Sequence, residues 1–435
     1  MTLPRLVIGL LLAAWSAAAA EPRGGPPAVF RTEVPREPFN LILGCPGATS
    51  IVVSILPSVE MDGFLRYWAA GGAWTNSTAP LRLSAWEPRA VRLEGLTRDT
   101  RYGYEFCQQP VSTGVVESRT TGAFRTQRSP GSPFAFTVTA DSHLDGNTDP
   151  DIYARTLCRA LQDQPDFHID LGDTFMTGKR RDRPEDARPQ YLAQRHYFGL
   201  LCASVPLFLV LGNHDGETGR SLEAATRMRT ELFPNPVPDG FYSGGSNGNY
   251  FAWNWGDALF VVLDPYRYSG RPAGGREAGG WGFTLGRTQY DWLQATLASS
   301  QARFKFVFIH HLVGGADRQG RGGAGAVPFF EWGGCDLDGR NAFAEQRPGW
   351  PMPIHALLSK HGVTAVFHGH DHFFARQEVD GIVYQLVPQP GHAGEGSYAR
   401  AREYGYLQGD IRPGSGYLRV EVSSDGPRIN YIRTE

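Results

Sequence analysis

Apolar and polar residues follow two different rhythms along this chain. From about Phe39 to Thr126, short alternating runs (Ser50 to Leu56, Gly63 to Trp68, Ala90 to Leu93, Arg101 to Phe106, Ala123 to Thr126) are separated by turn residues. Period-two alternation with frequent turn signals predicts an all-β unit. Arg128-Ser129-Pro130-Gly131-Ser132-Pro133 then has the composition of a linker. Beyond it, β-prone runs alternate with helically spaced segments: strand Phe134 to Ala140, helix Pro150 to Leu161, strand Phe167 to Leu171, helix Arg188 to Ala203, strand Pro206 to Leu211. Further strands are expected at Tyr250 to Trp255, Ala258 to Leu263, Phe304 to Ile309, Val363 to Phe367, Ile382 to Val387 and Gly416 to Val422. Alternating strand and helix predicts a layered α/β domain, whose ligands gather at the carboxyl ends of its strands.

In the β unit, Leu93, Leu96, Thr100, Tyr102 and Tyr104 of "VRLEGLTRDTRYGYEF" resemble the end of a fibronectin type III-like sandwich, where a tyrosine at a strand-start corner bonds back to the backbone. At the other end, Arg5, the apolar run Leu6 to Trp15 and Ala18-Ala19-Ala20 have the layout of a cleavable secretory signal. The run falls short of the ~20 residues that span a bilayer, and no later run is long enough to be transmembrane. The domain expectation is therefore a signal peptide over 1–20, a fibronectin III-like β-sandwich over 30–128 and a catalytic α/β domain over 133–435, in a periplasmic or secreted protein.

Composition adds exclusions. With 42 Lys+Arg against 44 Asp+Glu, a net charge of −2 gives no reason to expect long nucleic acid or an anionic membrane as partner. The 53 glycines and 31 prolines point to turns and long loops rather than helical bundles. Five scattered cysteines make no disulfide framework or zinc knuckle, although Cys158 and Cys202, on helices preceding neighbouring strands, could pair. All 12 histidines lie at or beyond His143, so metal or acid–base chemistry belongs to the second domain.

Five motifs each follow a buried strand: Asp141-Ser142-His143, Gly172-Asp173, Gly212-Asn213-His214-Asp215, His310-His311, and His368-Gly369-His370-Asp371-His372. Singly each is weak, since a histidine ending a strand is more often a satisfied structural group. Five in succession are another matter, because imidazole, carboxylate and amide oxygen are the donor mixture that borderline divalent metals take.

In order and spacing these motifs resemble those of the calcineurin-like metallophosphoesterases, and the upstream sandwich makes the layout similar to that of purple acid phosphatases. The resemblance implies a layered α/β/β/α catalytic domain and two divalent metal ions (Mn, Zn or Fe). Asp141, His143, Asp173 and His372 would hold one ion, and Asp173, Asn213, His310 and His370 the other, with Asp173 bridging. Such a pair leaves the site near a charge of about +1 and acidifies a bridging water to the attacking hydroxide. His214, without a ligand role, would stabilise the phosphoryl oxygens or protonate the leaving oxygen, and Asp215 would orient it. Purple acid phosphatases place an iron-ligating tyrosine where this chain has Met176, and they lack a counterpart of His143, so an intense tyrosinate colour is not expected.

Other features read more plainly. Lys179-Arg180-Arg181 with Arg183 is neutralised by Asp182, Glu185 and Asp186 and reads as a solvated loop. The stretch Leu312 to Pro351, with Arg318, Arg321, Phe329, Phe330, Trp332 and Arg340, reads as a long loop walling a substrate pocket. His168, Asp170, His311 and His368 read as packing or supporting groups, and Trp253 and Trp255 as core. The functional expectation is a secreted dinuclear-metal phosphoesterase acting on small phosphate mono- or diesters. The alternatives are a nucleotide-restricted phosphodiesterase or nuclease, and a non-catalytic surface binding protein.

Overall fold

The computed structural model describes residues 29–72, 75–109, 118–180, 183–268 and 280–434. The segment read as a signal and Arg181 lie outside these. No helix among the described residues is long and apolar enough to cross a membrane.

Two mixed sheets stack face to face in the second domain. In the first, the strands Phe134–Thr139, Phe167–Asp170 and Leu207–Leu209 run parallel, and the antiparallel pair Gly416–Ser423 and Gly426–Arg433 extends the sheet beyond Phe134–Thr139. In the second, Ala258–Val262, Phe304–Phe308, Ala365–His368 and Ile382–Leu386 are parallel neighbours. Their facing sides are phenylalanine-rich. Phe136 lies 5.2 to 6.1 Å, centroid to centroid, from Phe167, Phe260, Phe306, Phe308 and Phe367. Such pairs add about 0.5–1.5 kcal/mol each beyond the area they bury, so this layer locks the sheets together. The helices Pro150–Gln162 and Arg188–Cys202 cover the outer face of the first sheet, and Gly286–Ser299 and Ile354–Lys360 that of the second. The result is an α/β/β/α sandwich. Trp253 and Trp255 are buried in its central layer.

The first domain is a β-sandwich. One sheet contains Phe39–Gly44, Ile51–Pro57 and Arg89–Leu93, and the other Met61–Ala69, Arg101–Gln109 and Ser118–Arg125 with short edge strands. Tyr102 Oη accepts a hydrogen bond from the Thr97 backbone nitrogen at 2.8 Å, the corner bond that the tyrosine pattern implies. The two domains share a sheet, because Gly44 pairs in parallel with Leu207 and so joins the sandwich edge to the catalytic sheet. Across the linker, Asp99 binds Arg125 at 3.3 Å and Ser132 Oγ at 2.8 Å, while Arg128 grips Asp166 at 2.7 and 3.0 Å.

Two expectations need correction. Cys158 and Cys202 form no bridge: both thiols are free, Cys158 exposed on its helix and Cys202 buried beneath the neighbouring one. The Leu312 to Pro351 stretch is not an unstructured wall. It contains the short helices Phe330–Gly333 and Phe343–Gln346 and inserts Ala326, Val327 and Trp332 into the core under the second sheet. Arg321 donates to His370 O and the Asp371 carboxylate, and Arg340 pairs with Asp336 and Glu345. The Arg321 guanidinium ties the segment to the loop after the Ala365–His368 strand, while the Arg340 pairs are internal to the segment and exposed.

Candidate metal centre

All five motifs meet where the carboxyl ends of the two sheets face each other. Parallel pairing fixes this, since strands in register deliver their following loops to one edge. The first and second loops are zipped together by Asp141 N to Gly172 O at 2.9 Å and His143 N to Asp173 O at 3.1 Å. Their backbones are bent hard. Asp141, His143, Asp173, His370 and His372 all have φ between +47° and +75°, a strained region for non-glycine residues that persists where function holds it. Gly172 and Gly212 cross back to back, and a β-carbon on Gly212 would overlap the backbone nitrogen of Asp173, so this crossing requires glycine.

The structure brings together Asp141, His143 and His372 in one group and Asp173, His310 and His370 in another. Asp141 Oδ1 lies 3.4 Å from His372 Nε2 and 3.8 Å from His143 Nε2. Asp173 Oδ2 lies 3.3 Å from His310 Nε2 and 3.7 Å from His143 Nε2, so this one oxygen faces ligands of both groups. Asn213 lies in the loop beside them. His214 sits at the rim with its side chain 29% exposed, Nε2 4.0 Å from Asp173 Oδ2, and its backbone nitrogen donates to Asp173 Oδ1 at 2.6 Å. Asp215 lies beneath the loops. Its carboxylate accepts from the backbone nitrogens of Gly212, Asp173, Thr174 and Phe175 at 2.7 to 3.0 Å. These bonds go to the backbone of the ligand loops rather than to the His214 ring.

The donor set fits divalent cations. Asp141 Oδ1, His143 Nε2, Asn213 Oδ1 and His310 Nε2 are buried without hydrogen-bond partners among the described residues. Each such group left unmet costs about 1–3 kcal/mol, and two cations, one at each group, would satisfy all four. The His310 Nδ1–H donates to Leu171 O at 2.8 Å, which leaves the Nε2 lone pair facing Asp173, and His143 Nδ1 faces Asp145 at 3.4 Å. Burial disfavours a charged His143, but the Asp145 carboxylate beside Nδ1 and the charges of Asp173 and Asp141 near Nε2 outweigh it and raise its pKa to about 10. Burial likewise opposes a charged His310, yet Asp173 and Asp141 bring it up to about 9. Burial also works against the charged Asp173, but His310 and His214 hold it well below the usual carboxylate range. The carboxylates thus favour positive charge at the His143 and His310 rings, and a metal ion held there would displace their protons. Burial lowers His214 to about 4 against the pull of Asp173, with Lys179, His143 and His310 reinforcing the fall.

The neighbouring groups are occupied otherwise. Both His168 ring nitrogens meet threonine hydroxyls, at 2.8 Å on Thr137 and 2.9 Å on Thr139, and Asp170 accepts from Thr139 and Thr174. The His311 ring packs edge-on against Tyr266 and Phe283, with Nδ1 on Leu312 O. Arg180 stacks over Phe30, Arg183 pairs with Asp186, and Lys179 is exposed. Sequence reasoning missed the buried Gln190 and Gln194, which donate to the ligand loops. Their only signal was a polar residue repeated at i and i+4 on a buried helix face.

A family model described as calcineurin-like phosphoesterase matches residues 134–374, more than half of the chain. The chain belongs to that family. It is accordingly a metal-dependent phosphoester hydrolase. No curated protein matches the chain significantly. Among solved structures it is similar to PhoD, with 16% identity and a TM-score of 0.61 over 90% of this chain and 88% of that one. It is also similar to the purple acid phosphatase PPD1 from yellow lupin (Lupinus luteus) seeds, with 13% identity and a TM-score of 0.59 over 91% and 72%. At these identities the likeness is one of fold, and it covers both the β-sandwich and the α/β domain.

Proposed function

We propose that this calcineurin-like phosphoesterase hydrolyses small phosphate mono- or diesters outside the cytoplasm, with residues 1–20 acting as its secretion signal, 30–128 as its sandwich and 133–435 as its catalytic domain. The observation that carries the reading is the convergence of two ligand groups on Asp173, with four buried donor atoms left free. Asp141, His143, Asp173 and His372 would hold one ion, and Asp173, Asn213, His310 and His370 the other. Two such ions, of Mn, Zn or Fe, supply Lewis-acid charge for the phosphoryl oxygens and lower the pKa of a water. The chain's own residues do the rest. The Asp173 carboxylate is oriented by the His214 backbone nitrogen, and Asp215 fixes the loops by gathering four amides beneath them. The part-exposed His214 ring would offer its N–H to a phosphoryl oxygen, and since burial leaves it neutral at pH 7, it would protonate a leaving oxygen only once a bound phosphate anion beside it raises its pKa. Release of nitrophenol from mono- and bis-nitrophenyl phosphate across pH, with metal analysis of the same sample, tests this. Metal-loaded protein that hydrolyses neither compound would refute it.

A further inference from the structure

The helix Arg188–Cys202 carries three fully buried polar side chains, Gln190, Gln194 and Arg195. A buried amide without partners is costly, so the groups these side chains hold are informative. Gln194 Nε2 donates to Ser142 Oγ at 2.8 Å and to Thr174 O at 2.9 Å, and its Oε1 accepts from Tyr153 Oη at 3.0 Å. One turn earlier, Gln190 Nε2 donates to His143 O and, at 3.4 Å, to Thr174 O. Ser142 and His143 belong to the first ligand loop, and Thr174 directly follows Asp173. Side chains at i and i+4 share a helix face, so one rigid element grips both loops at once.

Those loops need gripping. Asp141, His143, Leu144 and Asp173 have φ of +58°, +47°, +52° and +54°, a strain that surrounding contacts must hold in place. The other side of the helix is itself anchored in the β-sandwich. Arg195 donates to Ser54 O at 2.9 Å and Ser54 Oγ at 3.0 Å, and Tyr104 Oη donates to Ala203 O at 2.6 Å, just past the helix end.

We propose that Gln190 and Gln194 are positioning residues of the metal centre, holding the Asp141–His143 loop and the Asp173 loop in the register that lets both ligand groups form. This rests on the metal-centre reading given above. Outer partners of metal ligands typically carry roughly 10- to 100-fold of the affinity. Chelator-stripped full-length protein would be titrated with Mn²⁺ by calorimetry, and its thermal unfolding followed in parallel. Gln190→Leu and Gln194→Leu should each weaken Mn²⁺ binding by about 10- to 100-fold. Leu201→Ala, buried on the same helix away from the loops, should lower the melting temperature but leave Mn²⁺ affinity unchanged. If the leucine variants do not fold, Gln194→Glu keeps the shape, loses the bond to Thr174 O and should still weaken binding. Glutamine variants that melt earlier yet bind Mn²⁺ as tightly as the wild type would reduce the pair to scaffolding and overturn the proposal. Wild-type protein that binds no Mn²⁺ would instead overturn the metal-centre reading, and this inference with it.

Discussion

Replacing His214 by alanine tests its proposed proton transfer separately from metal binding. The ring lies outside both ligand groups, Nε2 4.0 Å from Asp173 Oδ2, whereas the backbone nitrogen of the same residue donates to Asp173 Oδ1 at 2.6 Å. The substitution removes the ring and keeps the backbone bond, so Asp173 stays oriented and metal content should match that of the wild type. On the role proposed for His214, the variant should lose roughly 10²- to 10⁴-fold in turnover, or about 2.7–5.4 kcal/mol of barrier. Since the side chain is 29% exposed and lies in no core cluster, stability should move by less than about 1 kcal/mol. The assay is kcat on nitrophenyl phosphate and on an alkyl phosphate, with metal analysis of each preparation. An alkoxide leaves poorly without a proton, so the deficit should be larger for the alkyl ester. A fully metallated variant with wild-type turnover on both esters would show that the His214 ring takes no part in the reaction, and loss of one ion would make His214 a ligand.

Three further outcomes follow from the same geometry. Gly212→Ala should fail to assemble the site, because its β-carbon overlaps Asp173 N, and the soluble variant should bind less than half the wild-type metal by elemental analysis. Chelation should lower the melting temperature by several degrees, since each ion present at about 100 times its Kd contributes about 2.7 kcal/mol; an unchanged melting temperature would speak against two resident ions. Burial raises the Asp99 carboxyl, but hydrogen bonds from Ser132 and Ser129 and the charges of Arg128 and Arg125 more than reverse this and leave it below its ordinary value. Its contribution is therefore present above the unfolded carboxylate range near pH 4 and lost on acidification through the lower folded value. Denaturant titrations should accordingly find Asp99→Asn less stable than the wild type at pH 7, with the gap closing below about pH 4.

The parts of this protein that were legible in its sequence are those set by local pattern. Asp141, Asp173, Asn213, His310 and His370 stand out because each ends a run of buried β residues, and a polar residue there has no role in the strand itself. The Tyr102 corner was legible for the same reason, since its partner Thr97 lies five residues away. What escaped was set by distant pairing. The Leu312 to Pro351 stretch looks like an open loop by its glycines, but Arg321 is tied to Asp371, 50 residues on, and Trp332 reaches Tyr384 at 3.0 Å. The Cys158 and Cys202 helices do lie side by side, but the helical phase turns Cys158 outward. Gln190 and Gln194 gave only the faint signal of a polar i, i+4 repeat, because a glutamine on a helix is ordinary until its buried partners are known. The Asp215 carboxylate, read as an orienter of the adjacent ring, is engaged by four backbone amides of two loops that only the fold brings together.

Asp173 stands between the two ligand groups, since one of its carboxylate oxygens faces residues of both. The most direct test is elemental analysis of purified Asp173→Ala beside wild-type protein, with nitrophenyl phosphate turnover measured on both. Two ions per wild-type chain, with loss of both metal and turnover in the variant, is the predicted result. A variant that keeps two ions, or hydrolyses the ester at the wild-type rate, would contradict it.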